Sequence, residues 1–215
     1  MIDLITTFWP VIFTVGGIHL LALISPGPDF FFVSQQALQS RFRGIIASAG
    51  IAMGIALHIL YSLAGIGLII KSSILLFTFI KICGGIYLVY LGFKSFLSQT
   101  KNSSDSKLIS TQNSGSNFKI KDLLLKGFLT NALNPKVTMF FFMIFSQFID
   151  PNTPFLLQVI IGLETILLTF VWFVFVSFIL STSIIQKPFL RFSNIIDKIF
   201  GGILISLGLK VILDK

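Results

Sequence analysis

Two short motifs place proline and a charged residue within long apolar runs, and they constrain the fold of this chain more than any other feature. The motifs consist of Ser25, Pro26, Gly27, Pro28 and Asp29, and of Asn134, Pro135 and Lys136. Proline removes a backbone donor and clashes with the preceding helical turn, and an isolated charge at membrane depth is costly. Neither motif fits a plain membrane-spanning helix, so we expect the two breaks to face each other and form the working site.

Low charge and repeated apolar runs indicate a polytopic membrane protein. Of the 215 residues, 54% are hydrophobic and 11% are charged, whereas a soluble domain averages about 25% charged residues. Apolar segments near the roughly 20 residues that cross a bilayer cover 4–24, 45–70, 73–97, 127–149, 155–181 and 196–213. The sequence therefore predicts a single all-α membrane domain over residues 1–215, with six transmembrane helices surrounded by the lipid bilayer.

The basic residues lie mainly in connecting loops, where they set membrane orientation rather than bind nucleic acid. With six spans, eleven Lys and Arg residues lie on the side of loops one, three and five, and four lie on the other side. The positive-inside rule then places both termini outside and the flexible polar linker 98–118 in the cytoplasm. Because Asp3 is present and a basic leader region is absent, we expect an uncleaved first helix.

The two halves of the chain are similar in sequence. The third segment reads Lys-Ile-Cys-Gly-Gly-Ile from Lys81, and the sixth reads Lys-Ile-Phe-Gly-Gly-Ile from Lys198. Three spans per repeat require the second copy to be inverted, an arrangement in which transporters hold substrate at the repeat interface. We therefore expect two inverted three-helix repeats, 1–97 and 119–215, in which helices one and four are broken at the proline motifs.

Asp29 is the first candidate for chemistry. Pro28 suits the first turn of a new helix, where the helix dipole favours a negative charge. Ser25 is expected to cap the same helix end. The carboxylate would bind a substrate ammonium or carry a coupling proton, whereas the alternative is an ordinary turn at the membrane edge.

Lys136 is the candidate of opposite charge. Asn131 and Asn134 can satisfy the backbone groups that Pro135 frees, and the long apolar run that follows leaves the ammonium in need of a partner. Opposed to Asp29, it would suit a zwitterion such as an amino acid, with one charge at each end. The two side chains would otherwise pair with each other and hold the repeats together, and both interpretations stay open.

Three further ionisable residues lie inside apolar segments. Glu164, the only glutamate, is a functional candidate because charged groups at membrane depth are costly; the alternative is a protonated side chain hydrogen-bonded to a neighbouring helix. His58 can relay protons, since imidazole titrates near neutral pH. A structural, hydrogen-bonded role is nevertheless favoured for His58, and more strongly for His19.

Glycines are interpreted as packing residues, and phenylalanines as lipid-facing bulk. Gly50 and Gly54, and the glycine pairs at 84–85 and 201–202, allow close helix approach and would permit a homodimer. Phe140–Phe142 are expected to face lipid. The sequence has no phosphate-binding loop, metal-spaced His/Cys cluster or nucleophile elbow, so we expect no enzyme activity, cofactor or metal.

These motifs, in this order, resemble the LysE/RhtB family of bacterial lysine and threonine/homoserine exporters. The resemblance rests on 25–29, Arg41-x-Arg43-Gly44, Gly50-x-x-x-Gly54-x-x-x-His58, 84–92 and 127–136. It implies an amino-acid exporter of the bacterial inner membrane, driven by the proton gradient. The signature residues it implies are Pro26, Gly27, Pro28, Asp29, Asn131, Asn134, Pro135 and Lys136. Two departures, Ser40 in place of glycine and Ser146 in place of proline, weaken any transfer of substrate identity.

The sequence therefore predicts a secondary transporter that exports an amino acid or related small metabolite by proton antiport, with alternating access around the two breaks. One alternative is a passive channel in which the breaks form a constriction. A second is a non-transporting membrane scaffold or assembly component. The lone cysteine, Cys83, excludes an internal disulfide and argues against thiol redox chemistry.

Overall fold

The described part of the chain is helical. The computed structural model describes residues 2–25, 27–72, 74–97, 119–148, 153–180, 195, 198–199, 201–210 and 212–213. Within these residues the helices are α1 (Ile2–Ile24), α2 (Pro28–Gln39), α3 (Arg41–Ser72), α4 (Ile74–Phe96), α5 (Ile120–Ala132), α6 (Pro135–Phe148), α7 (Phe155–Leu180) and α8 (Gly201–Lys210). The predicted all-α class is confirmed.

Apolar helices of spanning length identify a membrane protein. Within the described residues, Arg41–Ala64 of α3 and Phe155–Leu180 of α7 are each long and apolar enough to cross a bilayer. The pairs α1–α2 and α5–α6 raise the number of spans to four if each bent pair is one span. Shorter apolar helices cover Ile82–Phe96 and Gly201–Lys210. The full count of six spans stays a prediction.

The helix breaks lie at the two proline motifs. At the first, α1 ends at Ile24 and α2 begins at Pro28 after a bend of 60°. At the second, α5 ends at Ala132 and α6 begins at Pro135 after a bend of 59°. Each second helix begins with a proline, whose missing N–H is not needed at a helix start. The predicted breaks are confirmed.

A glycine seam joins α3 to α5. A Cβ on Gly127 would lie 2.8 Å from the Ala47 carbonyl oxygen and 3.2 Å from the Gly50 Cα, so neither helix has room for a side chain there. One turn along, a Cβ on Gly54 would lie 2.6 Å from the Asn131 Oδ1. The Gly50-x-x-x-Gly54 spacing therefore brings α3 against the helix that carries Asn131.

Glycines also join α4 to α8, and glycines of each helix face glycines of the other. A Cβ on Gly201 would lie 2.5 Å from the Gly92 carbonyl oxygen, and one on Gly208 would lie 2.5 Å from the Gly85 carbonyl oxygen. Since the lower-numbered glycine of one helix meets the higher-numbered glycine of the other, the helices cross antiparallel. These four glycines are used within the chain, whereas Gly202 has open space beside it, and the homodimer stays a prediction.

Apolar side chains surround both breaks and hold them in place. One buried cluster includes Val15 of α1, Ile55 of α3 and Phe141 of α6. A second includes Val33 of α2 and Phe173 of α7. The predicted linker 98–118 and Pro26 lie outside the described residues, as do most of the residues between α7 and α8.

Candidate functional site

The two helix breaks face each other. Asp29, in the first turn of α2, accepts hydrogen bonds from the side chains of Asn131 and Asn134 at the second break. In the opposite direction, the Lys136 ammonium at the start of α6 donates to Ser25 Oγ at 3.2 Å. Contacts therefore run both ways between residues more than 100 positions apart, as the sequence predicted.

The Asp29 carboxylate is held by one of its oxygens. Asn131 Nδ2 donates to Oδ2 at 2.9 Å, and Asn134 Nδ2 lies 3.5 Å from the same oxygen. The other oxygen, Oδ1, is buried and has no hydrogen-bond partner among the described residues. A buried carboxylate oxygen without a donor favours a ligand that brings one.

Lys136 lies where local helix chemistry does not favour a cation. It occupies the first turn of α6, where the positive end of the helix dipole opposes its charge. Asn134 caps this helix through its side chain, since Oδ1 accepts the Lys136 N–H at 3.1 Å. The ammonium instead lies beside the first break, 3.9 Å from the position a Cβ would take on Gly27.

The predicted cap by Ser25 is wrong. Gly27 is the N-cap residue of α2, and no side chain caps that end. The extended backbone at Gly27 leaves Ser25 two residues further back, with its hydroxyl directed to Lys136 instead. The serine therefore links the two breaks.

A small cavity of about 50 Å³ lies between the breaks. This volume is enough for a few water molecules. Its polar lining comes from His19, Ser25, Asp29, Asn134 and Lys136. Its apolar lining includes Ala22, Leu23, Phe30, Ile55, Val137, Phe140, Phe141, Phe173 and Leu204. An apolar pocket with a few convergent polar groups is the usual form of a small-molecule site.

His19 lines this cavity, although the sequence favoured a structural role for it. The side chain is 2% exposed, and its Nε2 lies 2.8 Å from Thr169 Oγ1 on α7. A single histidine in an apolar run has the same sequence signature as a core histidine. The sequence signal that could have placed His19 near the site is its position, nearly two helical turns before the first break.

Phe140 and Phe141 are buried, so the expectation that they face lipid is wrong. Their exposed fractions are 5% and 1%, and both line the cavity. The Phe141 ring packs against His19 on one side and is stacked with His58, with centroids 5.2 and 6.3 Å away. Phe142 is intermediate in exposure and packs against the same cluster.

His58 contacts the second break through Asn131. It is fully buried on α3, and its Nε2 donates to the Asn131 carbonyl oxygen at 2.9 Å, while Nδ1 hydrogen-bonds to the Tyr61 hydroxyl. His58 does not line the cavity. The geometry favours a positioning role, in which His58 orients the helix end that holds Asp29.

Glu164 also lies away from the cavity lining. Its carboxylate packs over Gly16 on α1, where a Cβ would clash with it, and its Oε2 is buried with no hydrogen-bond partner among the described residues. The structure therefore places Glu164 at the α1–α7 contact and not beside Asp29. Within the described residues, no group of three or more His, Cys, Asp and Glu could hold a metal ion.

Comparison with known proteins agrees with these motifs. A family model described as "LysE type translocator" matches residues 20–215. The chain is 33% identical over 207 residues to the "Threonine efflux protein" of Salmonella typhi, covering 94% of this chain and 98% of that protein. The corresponding protein of Escherichia coli K12 is 32% identical over 206 residues, covering 94% and 97%. No solved structure matches the chain.

The match extends beyond the named efflux proteins. An uncharacterized membrane protein of Bacillus subtilis is 32% identical over 197 residues, covering 90% of this chain and 94% of that protein. Since the family model spans most of the chain and the relatives align over nearly their full lengths, this is a multi-pass bacterial membrane transporter and not an enzyme. The chain belongs to the LysE type translocator family.

Proposed function

We propose that this protein exports an amino acid from the cytoplasm and that the cavity between the two breaks is its binding site. The observation that carries the proposal is that Asp29 and Lys136, one from each break, line the same cavity. The two charges interact electrostatically. The relatives named as threonine efflux proteins make threonine the first substrate to test.

The charges of the cavity match the two ends of a zwitterion. The unpartnered Oδ1 of Asp29 would accept hydrogen bonds from the substrate ammonium. Lys136 would bind the substrate carboxylate, exchanging its bond to the neutral Ser25 hydroxyl for one to an acceptor of opposite charge. In the absence of substrate, the Asp29 carboxylate and the Lys136 ammonium would attract each other, so neither charge would be isolated.

Asp29 is also the site at which proton antiport would operate. Its carboxylate lies in a mainly apolar cavity, where an unpaired charge is costly. A substrate ammonium or a proton would each neutralise it, and the two cannot occupy the same oxygen together. Release of substrate outside would therefore favour protonation of Asp29, and return of the proton to the cytoplasm would reset the site.

The arrangement of the breaks supports inverted repeats 1–97 and 119–215. The bends of 60° and 59° are nearly equal, and each is followed by a helix that begins with proline and then a charged residue. The antiparallel crossing of α4 and α8 through glycines of both repeats is what a two-fold axis in the membrane plane would produce. Alternating access would then be a rocking of one repeat against the other.

The proposed orientation has both termini outside and residues 98–118 in the cytoplasm. We expect a protease site inserted within 98–118 to resist protease added to intact spheroplasts and to be cut once the membrane is permeabilised. This outcome follows from the excess of Lys and Arg in loops one, three and five. Cleavage in intact spheroplasts that retain a cytoplasmic marker would reverse the orientation.

Export from dipeptide-loaded cells tests the function itself. Bacteria that lack their own amino-acid exporters would express this chain and be loaded with threonine-containing dipeptides, which are hydrolysed inside. We expect threonine to appear outside faster than in vector controls, and a proton uncoupler to slow it. If no amino acid leaves faster although the protein is in the membrane, the proposed function is wrong.

A further inference from the structure

The hydrogen bonds around His19 define which of its nitrogens carries a proton. Thr169 has one hydroxyl proton, which it donates to the Thr165 carbonyl oxygen at 2.8 Å. Thr169 Oγ1 is therefore an acceptor toward His19 Nε2, 2.8 Å away. Nε2 must carry the ring proton, and in a neutral imidazole this leaves Nδ1 as a bare acceptor.

The Nδ1 acceptor has no donor to pair with. It is buried and lacks a hydrogen-bond partner among the described residues. The imidazole is packed between α7 and the rings of Phe140 and Phe141, with centroids 6.0 and 5.2 Å away, and these rings offer no N–H or O–H. His19 lines the cavity, so we assign to Nδ1 a donor that enters the cavity and displaces the atoms that now cover this nitrogen.

Because Asp29 and Lys136 would bind the amino and carboxyl groups of the substrate, His19 Nδ1 is available to bind the substrate side chain. Asp29 and Lys136 suit the ammonium and carboxylate that every amino acid carries, so they do not distinguish one amino acid from another. His19 packs against Phe140 and Phe141, and all three line the cavity, so the lining around the Nδ1 acceptor is aromatic. A short side chain with one hydroxyl matches both properties.

We infer that His19 is a specificity-determining residue whose Nδ1 accepts a hydrogen bond from the side-chain hydroxyl of a small hydroxylated amino acid. This inference rests on the proposed function, since it concerns the substrate of the same cavity. Threonine and valine provide the sharpest test, because valine replaces the hydroxyl by a methyl group of similar size. Valine would leave Nδ1 buried and unpaired, and a site built around a hydroxyl discriminates strongly against such analogues.

The test compares export of threonine and valine from the same cells. Cells that lack their own exporters would be loaded with threonine- and valine-containing dipeptides, and initial export rates would be measured at matched internal concentrations. We expect wild type to export threonine roughly tenfold or more faster than valine, because an unpaired buried acceptor is costly. The amount of protein in the membrane would be determined for every variant.

Two substitutions test the roles of the two His19 ring nitrogens separately. His19→Gln keeps an N–H near the Nε2 position for Thr169 and removes the Nδ1 acceptor, so we expect the threonine-to-valine ratio to fall to within about twofold of unity. His19→Asn keeps an acceptor near the Nδ1 position, so the preference for threonine should persist. Should His19→Gln fail to reach the membrane, His19→Leu provides the test, because leucine also lacks an acceptor at the Nδ1 position and should lower the ratio equally.

The outcomes distinguish failure of the inference from failure of the proposed function. If wild type exports neither threonine nor valine above vector controls but does export another amino acid, the inference fails and the proposed function stands; if it exports no amino acid, both fail. If wild type exports both without preferring threonine, or if its preference survives His19→Gln, the inference is overturned and amino-acid export stands. A lower ratio in His19→Gln, with the preference kept in His19→Asn, supports it.

Discussion

Replacing Asp29 by asparagine is expected to abolish export while leaving the protein in the membrane. Asparagine has the same shape, and its oxygen can still accept the hydrogen bond from Asn131 that holds the carboxylate at 2.9 Å. It cannot bind an ammonium by charge or exchange a proton. Losing one partner of a buried charged pair lowers binding strongly, so we expect export to fall at least about thirtyfold in dipeptide-loaded cells.

The matched control for this substitution is Asp122→Asn. Asp122 also lies in the first turn of a helix, but it is exposed on α5 and does not line the cavity. We expect this variant to export at the wild-type rate. If Asp29→Asn exports as fast as Asp122→Asn at equal amounts in the membrane, Asp29 neither binds substrate nor couples protons.

Replacing Gly127 by valine is expected to destabilise the protein and remove export together. The Cβ alone would lie 2.8 Å from the Ala47 carbonyl oxygen, so α5 must move away from α3. Asn131, one turn further on α5, would then leave both Asp29 and His58. Overpacking on this scale costs about 3 kcal/mol, which corresponds to a loss of roughly 10 °C in the midpoint of thermal aggregation in detergent.

Gly202→Val is the control for the glycine seam. Gly202 is also helical, but a Cβ there would meet nothing within 4 Å. The intrinsic cost of valine in a helix is the same for both variants, so the difference between them isolates the packing of α3 against α5. Equal thermal midpoints and equal export for the two variants would contradict the structure of this seam.

The helix breaks were predictable because proline acts locally. The effect of proline on a helix depends on its own ring and on the preceding turn. Pro28 and Pro135 therefore predict helix starts from the local sequence, whichever helix packs against them. Asp29 in the first turn of α2 follows from the same local chemistry. The pairing of the two breaks was predictable because each carries a charge that needs a partner inside a membrane.

Residues that depend on tertiary packing were less predictable. The sequence does not show which face of α1 points inward, because this apolar helix has little polar contrast around its circumference. His19 was therefore interpreted as a structural residue, and Phe140 and Phe141 were expected to face lipid, although all three line the cavity. The glycine motifs indicated close helix packing, but not that Gly50 meets Gly127 or that Gly92 meets Gly201.

Ser25 illustrates a local rule that tertiary structure overrides. Serine before a helix often caps it, yet Gly27 takes the cap position of α2 and Ser25 accepts a hydrogen bond from Lys136. Glu164 was singled out because carboxylates are rare in membranes. The structure places it against Gly16 and away from Asp29, so its rarity alone did not indicate where it lies.

Protection of a cysteine at position 27 tests most directly whether the cavity between the breaks holds the substrate. Gly27 has extended backbone, with φ −155°, and a Cβ there would lie 3.9 Å from Lys136 Nζ, so a cysteine fits beside the cavity. The exposed Cys83 would first be replaced by serine. The Gly27→Cys protein would first be shown to export threonine. The rate at which a small thiol reagent labels it would then be measured in membranes. We predict that saturating threonine slows labelling several-fold; an unchanged labelling rate would place the substrate elsewhere.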